Sequence, residues 1–192
     1  MLKKTKKLFL NFKILRFFLI TSILVSTPYF NSFQNANAGL EFQWDQDSGY
    51  RRLKWFQKEN QRKFRNKIYF FFRPSDRKTD LLKINLLIPK TFKSSLNKDK
   101  ISFCKVRIGG VEDRTKCLED IPADIEINTE ESGLRSVNIY PYSPIPSNKK
   151  SYAIVLEVSN PKRSGLYQFH SYGQPKGKSV SSYLGSWTIV ID

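Results

Sequence analysis

The run Ile101-Ser102-Phe103-Cys104-Lys105-Val106-Arg107-Ile108 alternates apolar and polar residues over most of its length, and Ile125-Glu126-Ile127-Asn128 repeats the pattern. Alternation of this kind is typical of a β-strand that packs one face on a hydrophobic core and exposes the other to water. Runs rich in Ile, Val, Leu, Phe and Tyr are therefore predicted as strands at residues 68–73, 82–88, 101–108, 121–127, 135–140, 152–158, 166–172 and 187–191.

Turn-forming residues separate these runs, as at Arg73-Pro74-Ser75-Asp76, Ser132-Gly133 and Asn160-Pro161. No strong helical pattern lies between them. About eight short strands at such intervals predict an all-β fold, namely an antiparallel immunoglobulin-like β-sandwich with a short N-terminal basic helix or arm. A closed barrel is the second choice.

The two cysteines of the chain, Cys104 and Cys117, flank the turn signal Gly109-Gly110. A hairpin centred between Gly110 and Val111 would place them directly opposite each other, at a distance that a disulfide can span. Closing so short a loop stabilises a fold by about 3 kcal/mol on the chain-entropy model. Free or metal-bound thiols are the alternative, but two thiolates and a single histidine make a poor zinc site. We therefore predict a structural Cys104–Cys117 disulfide and no metal.

The first 38 residues have the layout of a secretory signal peptide. Six basic residues without an acidic one precede an apolar run at residues 17–25, and the segment ends in Ala36-Asn37-Ala38. This layout predicts cleavage between Ala38 and Gly39, with an uncleaved N-terminal anchor as the alternative. We expect residues 1–38 to be the signal peptide, 39–67 a basic amphipathic segment and 68–192 the β-sandwich domain. Export would bring the protein to a periplasm, a thylakoid lumen or the extracellular space.

The positive charge is concentrated in the N-terminal half of the predicted mature protein. The full sequence has 33 basic and 17 acidic residues, a net charge of +16, and residues 39–192 retain +10. Residues 39–100 carry 16 basic and 7 acidic residues, whereas residues 101–192 carry 11 and 10. An anionic partner is therefore expected to bind the N-terminal half.

Residues 50–67 form the most basic stretch, with eight basic residues against Glu59 and aromatic residues between them. Cations attract phosphate or sulfate groups, and aromatic rings stack on sugars or bases. The predicted export makes nucleic acid an unlikely partner. We expect an anionic envelope polymer or a membrane surface instead, with a merely solvated basic surface as the alternative. The candidate contact residues are Arg51, Arg52, Lys54, Trp55, Lys58, Arg62, Lys63, Arg65 and Lys67.

Few residues offer catalytic chemistry. His170 is the only histidine, and its strand position opposite Tyr167 and Phe169 predicts an exposed residue rather than a general base. Carboxylates between residues 112 and 131 would suit glycoside hydrolysis if one of them were buried. They would alternatively suit a calcium site in the loops at 112–124, although EF-hand spacing is absent. We expect no cofactor.

The chain contains several turn and core motifs, each present once: Tyr69-Phe70-Phe71-Phe72-Arg73-Pro74, Pro144-Ile145-Pro146-Ser147, Val158-Ser159-Asn160-Pro161, Gly165-Leu166-Tyr167-Gln168-Phe169 and Leu184-Gly185-Ser186-Trp187-Thr188-Ile189. Through them, residues 68–192 resemble a family of exported cyanobacterial proteins that carry a β-rich domain of unknown function. The resemblance implies the fold class and export, and it implies no substrate, cofactor or catalytic residue. The basic stretch and the cysteine hairpin lie outside the pattern that carries it.

These observations predict an exported, non-enzymatic envelope or periplasmic module with a binding or structural role. Its contact with an anionic polymer or lipid is expected through residues 50–67. The alternative function is that of a carboxylate-dependent hydrolase acting on envelope polysaccharide.

Overall fold

The computed structural model describes residues 49–110 and 113–192. Within them, strands form two five-stranded antiparallel sheets, in the orders β1-β2-β8-β4-β5 and β10-β9-β3-β7-β6. We name them the β8 sheet and the β3 sheet after their central strands. The strands are β1 (Trp55–Gln57), β2 (Arg65–Phe72), β3 (Leu81–Ile88), β4 (Ile101–Arg107), β5 (Lys116–Asp120), β6 (Ala123–Thr129), β7 (Arg135–Pro141), β8 (Tyr152–Ser159), β9 (Gly165–Pro175) and β10 (Ser182–Ile191).

The core lies between the two sheets and is dominated by aromatic side chains. Phe70 of β2 lies 4.9 Å, between ring centroids, from both Phe169 of β9 and Trp187 of β10. Phe72 meets the same Trp187 ring edge-on at 5.2 Å. All four side chains are completely buried. Aromatic pairs in tilted geometries add to the free energy gained by burying their area. The predicted antiparallel immunoglobulin-like β-sandwich is confirmed.

Strand β2 is apolar on both of its faces, which explains why Tyr69-Phe70-Phe71-Phe72 does not alternate. Phe70 and Phe72 point into the core, whereas Tyr69 and Phe71 belong to a second buried cluster on the outer face of the β8 sheet. That cluster also contains Val155 of β8 and the disulfide. A strand buried on both faces reads as a continuous hydrophobic run.

The basic stretch at residues 50–67 is extended, so the helical alternative is wrong. Strand β1 pairs with β2 through Phe56 and Tyr69. Leu53 is fully buried, and its N–H donates to the Ser186 carbonyl at 2.8 Å. The stretch therefore belongs to the sandwich, and the boundary drawn before residue 68 falls inside β2.

The predicted disulfide is confirmed, with Cα atoms 5.7 Å apart. Its predicted register is wrong, because Cys117 lies opposite Val106 and Cys104 lies opposite Asp120. A bulge between Lys105 and Val106 shifts the pairing, so the cysteines meet diagonally. Disulfides persist in oxidising compartments, which indicates an exported protein.

The predicted signal peptide and its cleavage site at Ala38 and Gly39 lie outside the described residues. In the part of the chain that is described, no helix is long and apolar enough to cross a membrane.

Candidate anion-binding cleft

A row of charged side chains crosses four segments of the β8 sheet. Lys58, just after β1, donates its N–H to the Lys67 carbonyl at 3.2 Å. Lys67 of β2 pairs with Glu157 of β8. Lys100 immediately precedes β4. Because β4 and β8 are antiparallel and Ile101 pairs with Leu156, Lys100 lies beside Glu157. The row therefore reads cation, cation, carboxylate, cation.

This row lines a cleft of about 520 Å³. Its walls come from the end of β1, the start of β2, the end of β8 and the loop before β4. Four cations and one carboxylate line it, so its lining has a net positive charge. The lining residues are Lys58, Arg65, Asn66, Lys67, Ser95, Asn97, Lys100, Glu157, Val158 and Ser159.

The carboxylate of Glu157 is held ionised by its neighbours. Lys67 Nζ lies 2.8 Å from Glu157 Oε1. This hydrogen bond lowers the pKa of Glu157, and the charges of Lys67, Lys100 and Lys58 add to the effect. The same hydrogen bond raises the pKa of Lys67. Glu157 can offset only one of the four cations, so the cleft keeps an excess of positive charge that attracts anions.

Aromatic rings adjoin the cations on the same face. Lys67 Nζ lies 5.9 Å from the centroid of the Tyr69 ring, and Phe56 lies 5.9 Å from Tyr69, between ring centroids. A second cavity of about 600 Å³ lies between Phe56 and the β4–β5 loop. Lys58 lines both cavities.

The loop that carries Lys100 is anchored at several points. Asn97 caps the short 3-10 turn Lys98–Lys100 by accepting the Asp99 N–H on its side chain at 2.9 Å. Arg135 of β7 donates to the carbonyl oxygens of Phe92 and Ser94. These bonds tie the loop to the β3 sheet and set the position of Lys100 against the β8 sheet.

The structure brings together three of the nine predicted contact residues, Lys58, Arg65 and Lys67, in the cleft. Arg62 and Lys63 are exposed in the turn between β1 and β2 and do not line it. Lys100 and Asn97 complete the cleft and were missed by sequence reasoning. They lie 33 and 30 residues beyond the end of the basic stretch at Lys67, and only strand pairing brings them near it.

The remaining four candidates lie away from the cleft. The guanidinium of Arg51 donates to the Ser75 and Asp76 carbonyls and lies 3.7 Å from the Asp76 carboxylate. Arg52 forms a β-bridge with Ser186, and the exposed Lys54 accepts the Trp187 indole N–H on its carbonyl at 3.0 Å. Trp55 packs partly buried against the core. Arg51 and Trp55 therefore have structural roles.

The single histidine lies on the outer face of the β3 sheet. His170 Nδ1 lies 2.6 Å from Ser186 Oγ, but Ser186 is completely buried and cannot reach a substrate. The histidine is half-buried rather than exposed, and burial lowers its pKa. The pair lacks the accessible hydroxyl that nucleophilic catalysis needs.

The carboxylates of residues 112–131 do not form a site among the described residues. Glu112 lies outside them, and the other members are exposed. The one described group of three close ligand-type side chains is Cys104, Cys117 and Asp120, whose two sulfur atoms form the disulfide. In the described ranges Asp76 is the only buried carboxylate, and it is neutralised by Arg73 at 3.1 Å and by Arg51.

The fold and the site define a disulfide-bonded β-sandwich with a basic cleft on the outer face of one sheet. The chain belongs to the family described as Protein of unknown function (DUF2808), whose model matches residues 43–191. The match includes both the basic stretch and the cysteine hairpin, which lie outside the motifs recognised in the sequence. No match was found among the curated proteins.

Several solved structures are similar to this chain at low identity. A bacterial hydrophobin, BslA, is 12% identical, with 74% of this chain and 95% of that chain covered and a TM-score of 0.44. A collagen-binding domain from a Staphylococcus aureus adhesin is 11% identical, with 71% and 95% covered and a TM-score of 0.38. The collagen-binding subdomain of the Enterococcus faecalis surface protein ACE is 8% identical, with 71% and 95% covered and a TM-score of 0.37. These similarities do not bear on function.

Proposed function

We propose that this protein is an exported, non-enzymatic binding module that holds an anionic envelope polymer in the cleft on the β8 sheet. One observation carries the proposal: cations from three separate parts of the chain surround a single carboxylate. These cations are Lys58, the β2 pair Arg65 and Lys67, and Lys100. Such convergence is not expected of a basic stretch that is only solvated, in which the cations would point apart.

Export is supported by the disulfide and by the signal-peptide pattern of residues 1–38, with cleavage between Ala38 and Gly39. The destination is a periplasm, a thylakoid lumen or the cell exterior, in keeping with the resemblance to exported cyanobacterial proteins. A nucleic-acid partner does not suit any of these compartments.

A polymer suits the cleft better than a membrane surface does. Interfacial binding uses an amphipathic helix that inserts apolar side chains beside its cations. Residues 50–67 contain no helix, and Trp55 is packed against the core. The exposed Phe64 lies in the β1–β2 turn and does not line the cleft. Phe56 beside Lys58 is 37% exposed, and this single ring is a small apolar surface for entering lipid.

A hydrolase is the weaker candidate, because a carboxylic general acid needs a buried or otherwise perturbed environment. The described carboxylates of residues 113–131 are all exposed. Asp76 is buried, but its oxygens are engaged by Arg73 and Arg51. A binding role requires no such group.

The proposal is tested by charge reversal with a matched control. Lys58→Glu/Lys100→Glu reverses two cations of the cleft, whereas Arg62→Glu/Lys63→Glu makes the same charge change in the neighbouring turn. Binding to dextran sulfate is measured, with uncharged dextran of equal size as the blank. The cleft variant should bind at least about tenfold more weakly than wild type, a loss of about 1.4 kcal/mol. The turn variant should lose less than about threefold, and wild-type binding should weaken with added salt.

Equal losses of dextran sulfate binding in the two variants would show that only overall charge matters. They would overturn the proposal that the cleft is the binding site. A different outcome is that wild-type protein fails to bind dextran sulfate and binds phosphatidylglycerol vesicles but not phosphatidylcholine vesicles. The ligand would then be a membrane surface and not a polymer. Circular dichroism spectra of both variants check that the sandwich is intact.

A further inference from the structure

The outer face of the β3 sheet, which the proposed function does not use, carries a continuous row of polar and aromatic side chains. Strand pairing aligns one residue from each of the five strands, since β9 pairs with β10 and β3, and β7 pairs with β3 and β6. The row is Tyr183, Tyr172, Asn85, Asn138 and Glu126. Four strand spacings of about 4.8 Å make it about 19 Å long.

Two tyrosine rings form one end of the row. The rings of Tyr172 and Tyr183 lie 5.6 Å apart at an interplanar angle of 59°. The Tyr183 hydroxyl lies 2.6 Å from Ser186 Oγ, which in turn lies 2.6 Å from His170 Nδ1. This chain of contacts fixes the Tyr183 ring before any ligand arrives, and such preorganisation lowers the entropic cost of binding. Both rings are partly exposed.

Two asparagine side chains form the middle of the row. Asn85 Nδ2 donates to Asn138 Oδ1 at 2.7 Å. This bond uses one donor group and one acceptor group of the pair. Asn85 Oδ1 and Asn138 Nδ2 remain as an adjacent acceptor and donor, on a half-buried and a largely buried side chain respectively. A hydroxyl both donates and accepts, so vicinal hydroxyls of a sugar match this arrangement.

The charges on this face disfavour a polyanion. Glu126 ends the row, and the neighbouring row contains Lys83, Tyr140 and Asp124. Lys83 Nζ lies over the Tyr140 ring, 4.8 Å from its centroid, so this ring is covered. In these two rows two acidic residues outnumber the one cation, so a polyanion would be repelled. A neutral chain meets no such repulsion.

We propose that this face binds a neutral polysaccharide chain. The Tyr172 and Tyr183 rings would lie against the apolar faces of sugar rings, a role that suits rigid amphipathic aromatic side chains. The asparagine pair and the Glu126 carboxylate would bind hydroxyl groups further along the row, with the carboxylate accepting the stronger hydrogen bonds. The proposal is independent of the anion cleft, because it uses the other sheet.

The test titrates labelled full-length mature protein with hexasaccharides of cellulose, xylan, mannan and chitin, and follows amide chemical shifts by NMR. At least one should move resonances of β3, β7 and β9 at millimolar concentration. Tyr172→Ala should weaken that binding at least tenfold, whereas Tyr172→Phe should stay within threefold of wild type. Tyr142→Ala removes a more exposed tyrosine outside the row and should change nothing. Lys58→Glu/Lys100→Glu should also leave it unchanged.

The proposal is overturned if none of the four sugars shifts these resonances. Shifts confined to other parts of the protein, or equal affinities of wild type and Tyr172→Ala, overturn it as well. The thermal midpoints of the variants separate a lost contact from a lost fold.

Discussion

Gly185 lies where the structure leaves no room for a side chain. Its φ of +146° is unfavourable for other residues, and an added Cβ would lie 2.6 Å from Leu53 Cγ and 2.7 Å from the Arg51 carbonyl oxygen. The absence of a side chain lets the segment before β1 approach β10. There the N–H of Ser186 donates to the Arg51 carbonyl at 2.7 Å. Glycine is therefore required both for backbone conformation and for space.

Gly185→Ala is expected to lower the free energy of unfolding by about 3 kcal/mol or more, because overpacking adds to backbone strain. Gly165→Ala is the matched control, since Gly165 has a φ of +145° but nothing within 4 Å of an added Cβ. Gly165→Ala should lower the free energy of unfolding by about 1 kcal/mol only, from backbone strain alone. Urea unfolding followed by tryptophan fluorescence measures both. Equal losses would mean that the segment before β1 moves away at little cost.

His170 should make stability depend on pH below its ordinary pKa of 6.5. Burial lowers its pKa in the folded protein below the ordinary 6.5. The unfolded chain therefore binds a proton first, so stability is complete above about pH 6.5 and falls as pH drops through it. His170→Gln should remove this component, because His170 is the only histidine. Between pH 7.5 and 5.5, the thermal midpoint of wild type should fall further than that of the variant, whereas parallel curves would contradict the prediction.

At the scale of elements, β5 depends most on a covalent bond. It is an edge strand paired only with β4, and most of its residues are exposed. The bulge beside it leaves Leu118 with 53% of its surface exposed. Few apolar contacts hold such a strand, so the Cys104–Cys117 disulfide supplies much of its attachment.

Reducing the disulfide should lower the free energy of unfolding by about 3 kcal/mol. The loss should be local before it is global: amide protection should fall along β5, while β2 and β8 in the sheet interior keep theirs. Hydrogen exchange of the oxidised and reduced protein in one buffer measures this. Uniform loss of protection across the β8 sheet would contradict it.

The burial of each strand explains which elements could be predicted from the sequence. Every run identified in the sequence coincides with a strand, because alternating or continuous apolar residues reflect burial directly. β1 was missed since only three residues pair, between charged neighbours. β5 was predicted only as the second arm of the cysteine hairpin and not as one of the strand runs, because Lys116-Cys117-Leu118-Glu119-Asp120 packs little of its surface and lacks an apolar alternation. The hairpin register was wrong because a bulge leaves no mark on composition.

At the scale of the whole molecule, the candidate cleft was only partly predictable. The excess of cations in residues 39–100 is a property of composition, and it includes both the basic stretch and Lys100. Their meeting depends on the order β1-β2-β8-β4, which places distant segments side by side. The polar row on the β3 sheet was not anticipated at all, because each strand contributes a single member of it.

In the proposed cleft, the Glu157 carboxylate competes with any anionic ligand for Lys67. This carboxylate is attached to the sheet beside Lys67, so its effective concentration is set by the fold rather than by the solution. A small anion that contacts one lysine at a time must compete with the Glu157 carboxylate and gains little binding free energy. A chain of repeated anions engages Lys58, Lys100 and Arg65 together and leaves the pair intact. We therefore expect such a cleft to prefer polyvalent anions to monovalent ones, while simple salt still screens its cations.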